Sequence, residues 1–190
     1  MNPGDPRFRE FYRRCASLGV AAMVHTGTEH SAAIVSHTLS DPRLLRTALD
    51  EGCTVIAAHA GMANTFDLPE HDFFPHLQKL LREYPRLYCD TAVLGSLLRW
   101  RCIPRMLRDP LVISRTLHGS DFPFPSNPLV FWHRLHPRVL VHLLGMTNLL
   151  KRDWLLKRAL GFPPEVFSRT STLLAAPPEY PLRTQESNKP

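Results

Sequence analysis

The chain has 190 residues, of which 44% are apolar and 21% charged, and its formal net charge is +6. This length and composition are typical of one globular domain and exclude a disordered chain. No apolar run approaches the ~20 residues that cross a bilayer, and the N-terminus lacks the apolar segment of a signal peptide. We therefore expect a cytoplasmic protein that does not insert into membranes.

The positive charge comes mostly from arginines that are scattered along the chain. The densest patch consists of Arg7, Arg9, Arg13 and Arg14, which fall on a predicted helix and form its solvated face. Nucleic-acid-binding proteins more often show a clustered basic stripe with interleaved aromatic residues. We therefore predict no nucleic-acid partner, and only the net charge supports the opposite hypothesis.

The four cysteines are Cys15, Cys53, Cys89 and Cys102. They lie far apart, and none forms the C-x-x-C pair that is typical of zinc fingers. In a cytoplasmic protein we expect them to be reduced and buried rather than paired in disulfides.

Helices and strands alternate from the N-terminus onward. Asp5-Pro6 is a typical helix start, and apolar residues then recur at helical spacing until Gly19. The apolar run at residues 20–24 predicts a first strand, which ends at His25. Further strands are predicted at residues 54–58, 87–92 and 112–117. The helices before them begin at Asp41-Pro42 and cover residues 72–83 and 96–108, the last bent or broken at Pro104.

The pattern changes after Asp121. Residues 122–128 contain three prolines and form a loop, residues up to about Leu174 are predicted as helices alone, and residues 175–190 form a polar, proline-rich tail. Four strands, each preceded by a helix, indicate a parallel α/β sheet. Such a sheet is half of an eight-stranded (β/α) barrel, which usually takes ~250 residues. We expect a half barrel with C-terminal helices over residues 1–174.

Three polar residues stand at the C-terminal ends of predicted strands, where such barrels place their active sites. They are His25, His59 and Asp121. Two imidazoles and a carboxylate form a ligand set that suits zinc, and also manganese or iron. Taken alone, each histidine is more often a hydrogen-bonded structural residue, and Asp121 could cap a turn. The repetition at three of four strand ends favours a metal site.

Other polar residues are weaker candidates for the same site. His30 follows His25 in a loop and could reach the site, although a surface position is the simpler interpretation. Period-2 alternation directs His118 toward the helix layer. Asp90 lies within the third predicted strand, where we interpret it as structural.

Five segments together carry a family resemblance. They are Phe11-Tyr12-Arg13-Arg14-Cys15, Met23-Val24-His25-Thr26-Gly27, Val55-Ile56-Ala57-Ala58-His59-Ala60-Gly61, Tyr84-Pro85-Arg86-Leu87-Tyr88-Cys89-Asp90-Thr91 and Leu117-His118-Gly119-Ser120-Asp121-Phe122-Pro123. They resemble the amidohydrolase-related family, which includes aminocarboxymuconate-semialdehyde decarboxylases and uncharacterised metal-dependent hydrolases. The resemblance runs from about Asp5 to Leu174, and its last segment is the most specific.

The resemblance implies a distorted TIM barrel, of which this chain carries strands five to eight. His25 matches the metal ligand after the fifth strand, His59 the one after the sixth and Asp121 the one after the eighth. Asp121 would also act as general base, and His59 would orient the water or stabilise developing charge. The family's His-x-His pair after the first strand occurs nowhere in this sequence.

Three hypotheses follow. The first is a metal-dependent hydrolase of a small molecule, cleaving a C–N or C–O bond or catalysing non-oxidative decarboxylation, with activity impaired by the missing ligands. The second is a non-catalytic, truncated half barrel that associates with an N-terminal half or with another copy of itself. The third is a basic nucleic-acid-binding protein.

Overall fold

The computed structural model describes residues 2–30 and 36–174 and contains one parallel sheet in the order β1-β2-β3-β4. The strands are β1 (Ala22–His25), β2 (Val55–Ala58), β3 (Leu87–Asp90) and β4 (Thr116–Leu117). His25 is opposite Ala58 in the register, and Asp90 is opposite Leu117. The predicted four-stranded parallel sheet is therefore confirmed, and the carboxyl ends of its strands lie side by side. The predicted tail at residues 175–190 lies outside the described residues.

Short helices separate the strands, and longer ones follow the sheet. The α-helices are α1 (Arg9–Ser17), α2 (Arg46–Asp50), α3 (Phe74–Glu83), α4 (Cys102–Met106), α5 (Pro110–Ser114), α6 (Pro137–Leu144), α7 (Leu149–Ala159) and α8 (Pro164–Leu173). The 3₁₀ turns are Pro6–Phe8, His37–Ser40, Pro42–Leu45, His59–Gly61, Pro69–His71 and Pro128–Arg134. The predicted C-terminal helical cap is thus present. No helix in the described part of the chain is long and apolar enough to cross a membrane.

The predicted fourth strand at residues 112–117 is mostly wrong. Residues Pro110–Ser114 form α5, and only Thr116 and Leu117 belong to β4. The reason is local, because the Asp109 carboxylate accepts hydrogen bonds from two amides of the first helical turn and Pro110 occupies the first helical position. This start signal overrides the β-branched composition of the segment.

The predicted helix at residues 96–108, bent or broken at Pro104, is mostly wrong, because only Cys102–Met106 form a helix. Pro104 lies in the first turn of the short helix α4. The amides of a first turn have no intrahelical partner, so the missing N–H of a proline costs no hydrogen bond there.

The hydrophobic core fills the space between the sheet and the helices. Val55 and Ala57 of β2 and Leu87 of β3 pack there against Leu45 and Leu77 and are fully buried. The four cysteines are buried and free, as expected from the sequence. The basic patch of α1 lies outside this core, where Arg9 and Arg13 both pair with Glu51.

The helix α8 covers the free edge of β4. Carbonyls of Arg115 and Leu117 accept hydrogen bonds from β3 and the residue after it, so the Thr116 carbonyl and the His118 amide face the other side of the strand. The His118 amide donates to the Val166 carbonyl over 2.9 Å. The Arg169 guanidinium donates to the Thr116 carbonyl. Helix α8 thus supplies a hydrogen-bond partner to each of these two outward-facing groups.

A buried ion pair fixes α7 beneath the loop after β4. Lys157 is fully buried, and its Nζ lies 2.7 Å from Asp153 Oδ2 and 2.7 Å from the Gly119 carbonyl oxygen. The ring of His118 reaches the same carboxylate, with 3.2 Å between Nε2 and Oδ2. Burial lowers the pKa of Lys157, although the charge of Asp153 opposes that shift. The predicted orientation of His118 toward the helix layer is confirmed.

We predict that Asp153→Ala lowers the free energy of unfolding by about 3–5 kcal/mol, because Lys157 is left buried without its counter-charge. Denaturant unfolding measures this change. The double substitution Asp153→Leu/Lys157→Met should recover most of the loss, since it removes both charges. Equal loss in the single and double variants would contradict this explanation.

Candidate functional site

The C-terminal ends of β1 and β2 bring two histidines into contact. His25 is the last residue of β1, and His59 directly follows β2. Their ring centroids lie 4.9 Å apart, with the planes at 66°. The parallel register produces this proximity, because the two strands end at the same level. Gly27 allows the loop after β2 to approach the loop after β1 closely. A Cβ at position 27 would lie only 2.2 Å from the Met62 carbonyl oxygen.

The His25 imidazole carries a nitrogen with no hydrogen-bond partner. Its Nε2 is buried and unsatisfied among the described residues. Its Nδ1 lies 3.9 Å from Glu29 Oε2. Burial lowers the pKa of His25, and the neighbouring His59 lowers it further. The neutral imidazole, which is the form that can bind a metal ion or accept a proton, is therefore favoured.

The position of His59 is fixed by its backbone and its ring together. Its φ is 64°, a left-handed conformation that non-glycine residues rarely adopt. The His59 amide donates to Asp90 Oδ1 over 2.8 Å, and its Nδ1 lies 3.2 Å from the Ala92 carbonyl oxygen. Since a carbonyl can only accept, Nδ1 carries a proton, and Nε2 is the nitrogen that has a lone pair whenever the ring is neutral. The side chain is thus held in the tautomer that suits ligation or proton transfer through Nε2.

Asp90 orients His59, a role that the sequence did not reveal. One carboxylate oxygen accepts from the amides of both His59 and Ala92, and the Ala92 carbonyl then receives the His59 ring proton. Asp90 is 4% exposed, and burial raises its pKa. Lys157 is among the charges that oppose this rise. The sequence-based interpretation of Asp90 as a structural residue agrees with its hydrogen bonds. It did not predict that these bonds position His59.

Asp121 shares a cavity with His59. The cavity has a volume of about 370 Å³, and both residues lie on its wall. Asp121 has a φ of 59°, so it too is held in a left-handed conformation. Within residues 2–30 and 36–174, however, no group of three or more His, Cys, Asp or Glu side chains is placed to hold a metal ion. The structure therefore brings His25 and His59 together and places Asp121 nearby, without forming a three-residue cluster.

Arg99 lines this cavity and is a second residue of the site that the sequence did not reveal. It is only 4% exposed, and its guanidinium donates to the Met62 carbonyl over 2.8 Å and to the Thr28 carbonyl. These two bonds tie the loop after β1 to the loop after β2. Burial lowers the pKa of Arg99, and the carboxylate of Asp121 is among the charges that oppose this. No motif marks Arg99, because it lies in a stretch of turns between β3 and α4.

The remaining lining of the cavity is largely apolar. Apolar residues on the wall are Val93, Leu97, Leu98, Phe124 and Pro125. His30 also lies on the wall, and its Nε2 is 2.7 Å from Asp67 Oδ1. His30 therefore reaches the cavity, as considered from the sequence, but it is engaged by a carboxylate there. An apolar cavity with a few convergent polar groups is the usual form of a small-molecule site.

Both the sequence and the fold resemble those of known proteins. The family model described as amidohydrolase matches residues 2–134. An uncharacterised TIM-barrel protein from Bordetella bronchiseptica is similar in structure, with a TM-score of 0.52 and 18% sequence identity. The match covers 83% of this chain and 53% of that chain, so this chain spans about half the length of the barrel. No curated protein matches the sequence.

We predict that Asp90→Ala releases the ring of His59. In the wild type, ¹⁵N NMR should show one tautomer with the proton on Nδ1, because the Ala92 carbonyl fixes it. In Asp90→Ala the two amides lose their shared acceptor, and the ring should become a mixture of tautomers. Asp90→Asn keeps an acceptor oxygen and serves as the matched control. A single Nδ1–H tautomer in Asp90→Ala would show that the carboxylate does not position the ring.

Proposed function

Because the chain belongs to the amidohydrolase family, we propose that it has a hydrolase-type site for a small molecule, formed by His25, His59 and Asp121. The observation that carries this proposal is the pair of imidazoles in contact at adjacent strand ends, with His25 Nε2 unpartnered among the described residues and His59 Nδ1 engaged by a carbonyl, which leaves His59 Nε2 as the nitrogen for a ligand. A buried nitrogen without a partner is costly in a purely structural role. Its burial beside a second available nitrogen supports a ligand-binding role.

The two histidines fit a divalent metal ion in part. Imidazole nitrogens suit zinc, which we propose as the metal, and also manganese or iron. A bound metal would lower the pKa of a water molecule toward ~7. Catalytic zinc usually takes three protein ligands, whereas the described residues form no group of three His, Cys, Asp or Glu side chains placed to hold a metal ion. No catalytic step through a metal follows from this arrangement.

The chain's own side chains provide part of the chemistry of hydrolysis. His59 and Asp121 both line the cavity, and an imidazole nitrogen or a carboxylate there can accept a proton from a water molecule. The Arg99 guanidinium on the same wall provides positive charge near developing negative charge. The reaction that these groups support is hydrolysis of a C–N or C–O bond, with non-oxidative decarboxylation as the family variant.

The alternative is a non-catalytic half barrel that requires a partner half. It is supported by the coverage of only 53% of the similar barrel and by the missing His-x-His pair. The impaired hydrolase and the non-catalytic half barrel lead to the same prediction, which is that the chain alone has little or no activity. We further propose a cytoplasmic location, which four buried free thiols support.

We predict that the chain binds zinc weakly through His25 and His59. Calorimetry should show that His25→Ala and His59→Ala each abolish this site. The matched control is His142→Ala, since His142 is exposed on α6. Proton competition should weaken binding at low pH, and the lowered pKa of His25 places that loss below the usual imidazole value of ~6.5. Equal affinity in all four proteins would assign the zinc to surface histidines.

We predict at most weak turnover of simple esters, amides and lactones by the purified chain with added zinc or manganese. The reason is that catalytic metal sites need fixed ligands beyond the two that converge here. Robust turnover that disappears in Asp121→Ala would contradict the predicted impairment and support the assignment of Asp121.

A further inference from the structure

The buried ion pair of α7 contacts the loops that follow β3 and β4. Lys157 Nζ donates to the Gly119 carbonyl over 2.7 Å and to Asp153 Oδ2 over 2.7 Å. The His118 ring approaches the same carboxylate oxygen to 3.2 Å. The second oxygen of Asp153 lies close to Gly95, because a Cβ there would stand 3.2 Å from it. One ion pair on a C-terminal helix thus touches both loops.

Stability alone does not account for two charges in this position. Lys157 is fully buried and Asp153 is 4% exposed, while Leu156 and Leu160 nearby in the sequence are buried apolar residues. A buried ion pair generally stabilises a fold no more than apolar residues of the same volume would. What distinguishes Lys157 is its hydrogen bond to a backbone carbonyl of the loop after β4, which an apolar side chain cannot make.

The carbonyl that Lys157 binds belongs to the loop that carries Asp121. Thr91 Oγ1 is a second donor to the Gly119 carbonyl, over 3.2 Å. Two residues later Asp121 has a φ of 59°, and its own carbonyl accepts from the Phe124 amide over 2.9 Å. A non-glycine residue keeps such a conformation only when its surroundings impose it. The bond from Lys157 fixes the backbone immediately before this residue.

We propose that Lys157 is a positioning residue, which holds the loop after β4 in the conformation that places Asp121 on the cavity wall that His59 also lines. Asp153 provides the counter-charge that the buried ammonium requires. Helix α7 lies outside residues 2–134, the part of the chain that matches the family model. The C-terminal helices therefore help to shape the site itself. This role rests on the proposed function, since it assumes that Asp121 belongs to the site.

The test uses the full chain with the double substitution Asp153→Leu/Lys157→Met, which removes both charges and the bond to Gly119. Nuclear magnetic resonance reports the backbone of Asp121, because a residue with a positive φ gives a strong Overhauser effect between its own amide and α protons. The wild type should show this signal, and the double variant should lose it.

Hydrogen exchange gives a second measure of the same loop. The Phe124 amide, which donates to the Asp121 carbonyl, should exchange at least about tenfold faster in the double variant, the scale of one lost hydrogen bond to a charged group. The matched control is Leu160→Ala, which removes a buried side chain at the end of the same helix and lowers stability. It should keep the Overhauser signal of Asp121, because the bond from Lys157 remains.

An Overhauser signal of Asp121 that persists in the double variant, or that Leu160→Ala also removes, would overturn the positioning role. In the wild type, the Lys157 ammonium should give a ¹⁵N signal that is protected from hydrogen exchange. Rapid exchange there would overturn the bond to Gly119 even if the double variant does not fold. None of these measurements uses zinc or turnover, so an unchanged Asp121 contradicts this role alone, whereas the calorimetric test decides the proposed function.

Discussion

The carboxylate of Asp90 holds together the part of the molecule on which the proposed site depends. It receives the amides of His59 and Ala92 at the end of β3, and the Ala92 carbonyl in turn fixes the ring of His59. These bonds help to hold His59 in its left-handed backbone conformation. The ring then faces His25 across the end of the neighbouring strand. The buried Asp90 carboxylate thus links β3 to His59 after β2, and through the contact between the two rings to His25 at the end of β1.

A second constraint is the pair of edges that four parallel strands necessarily leave. An open edge exposes unpaired backbone groups and invites association with other chains. At β4 the chain satisfies these groups with α8, and the buried pair of Lys157 and Asp153 anchors the preceding helix below the same strand. At β1 no such cover lies within the described residues. The C-terminal helices therefore contribute directly to the sheet, because α8 binds backbone groups at its β4 edge.

The sequence was sufficient to predict the parallel sheet and the adjacency of His25 and His59. Repeated units of capped helix, glycine and apolar strand determine both, because the ends of parallel strands must align. It was insufficient for β4, where the capping of α5 by Asp109 outweighed a β-branched run. It also missed Arg99 and the pairing of Lys157 with Asp153, since their partners are backbone carbonyls or side chains whose proximity depends on tertiary packing. Asp121 was correctly placed after β4, but the loop that carries it leaves it outside a three-residue cluster.

The central proposal is that His25 Nε2, which has no hydrogen-bond partner among the described residues, and His59 Nε2 would bind the same metal ion. X-ray absorption spectroscopy of the zinc-loaded chain tests this claim directly, because imidazole ligands at about 2.0–2.1 Å give a characteristic multiple-scattering pattern. The account predicts two imidazoles in the coordination shell of the wild type and none in the double variant His25→Ala/His59→Ala. A shell of oxygen ligands alone, or the same spectrum in both proteins, would contradict it.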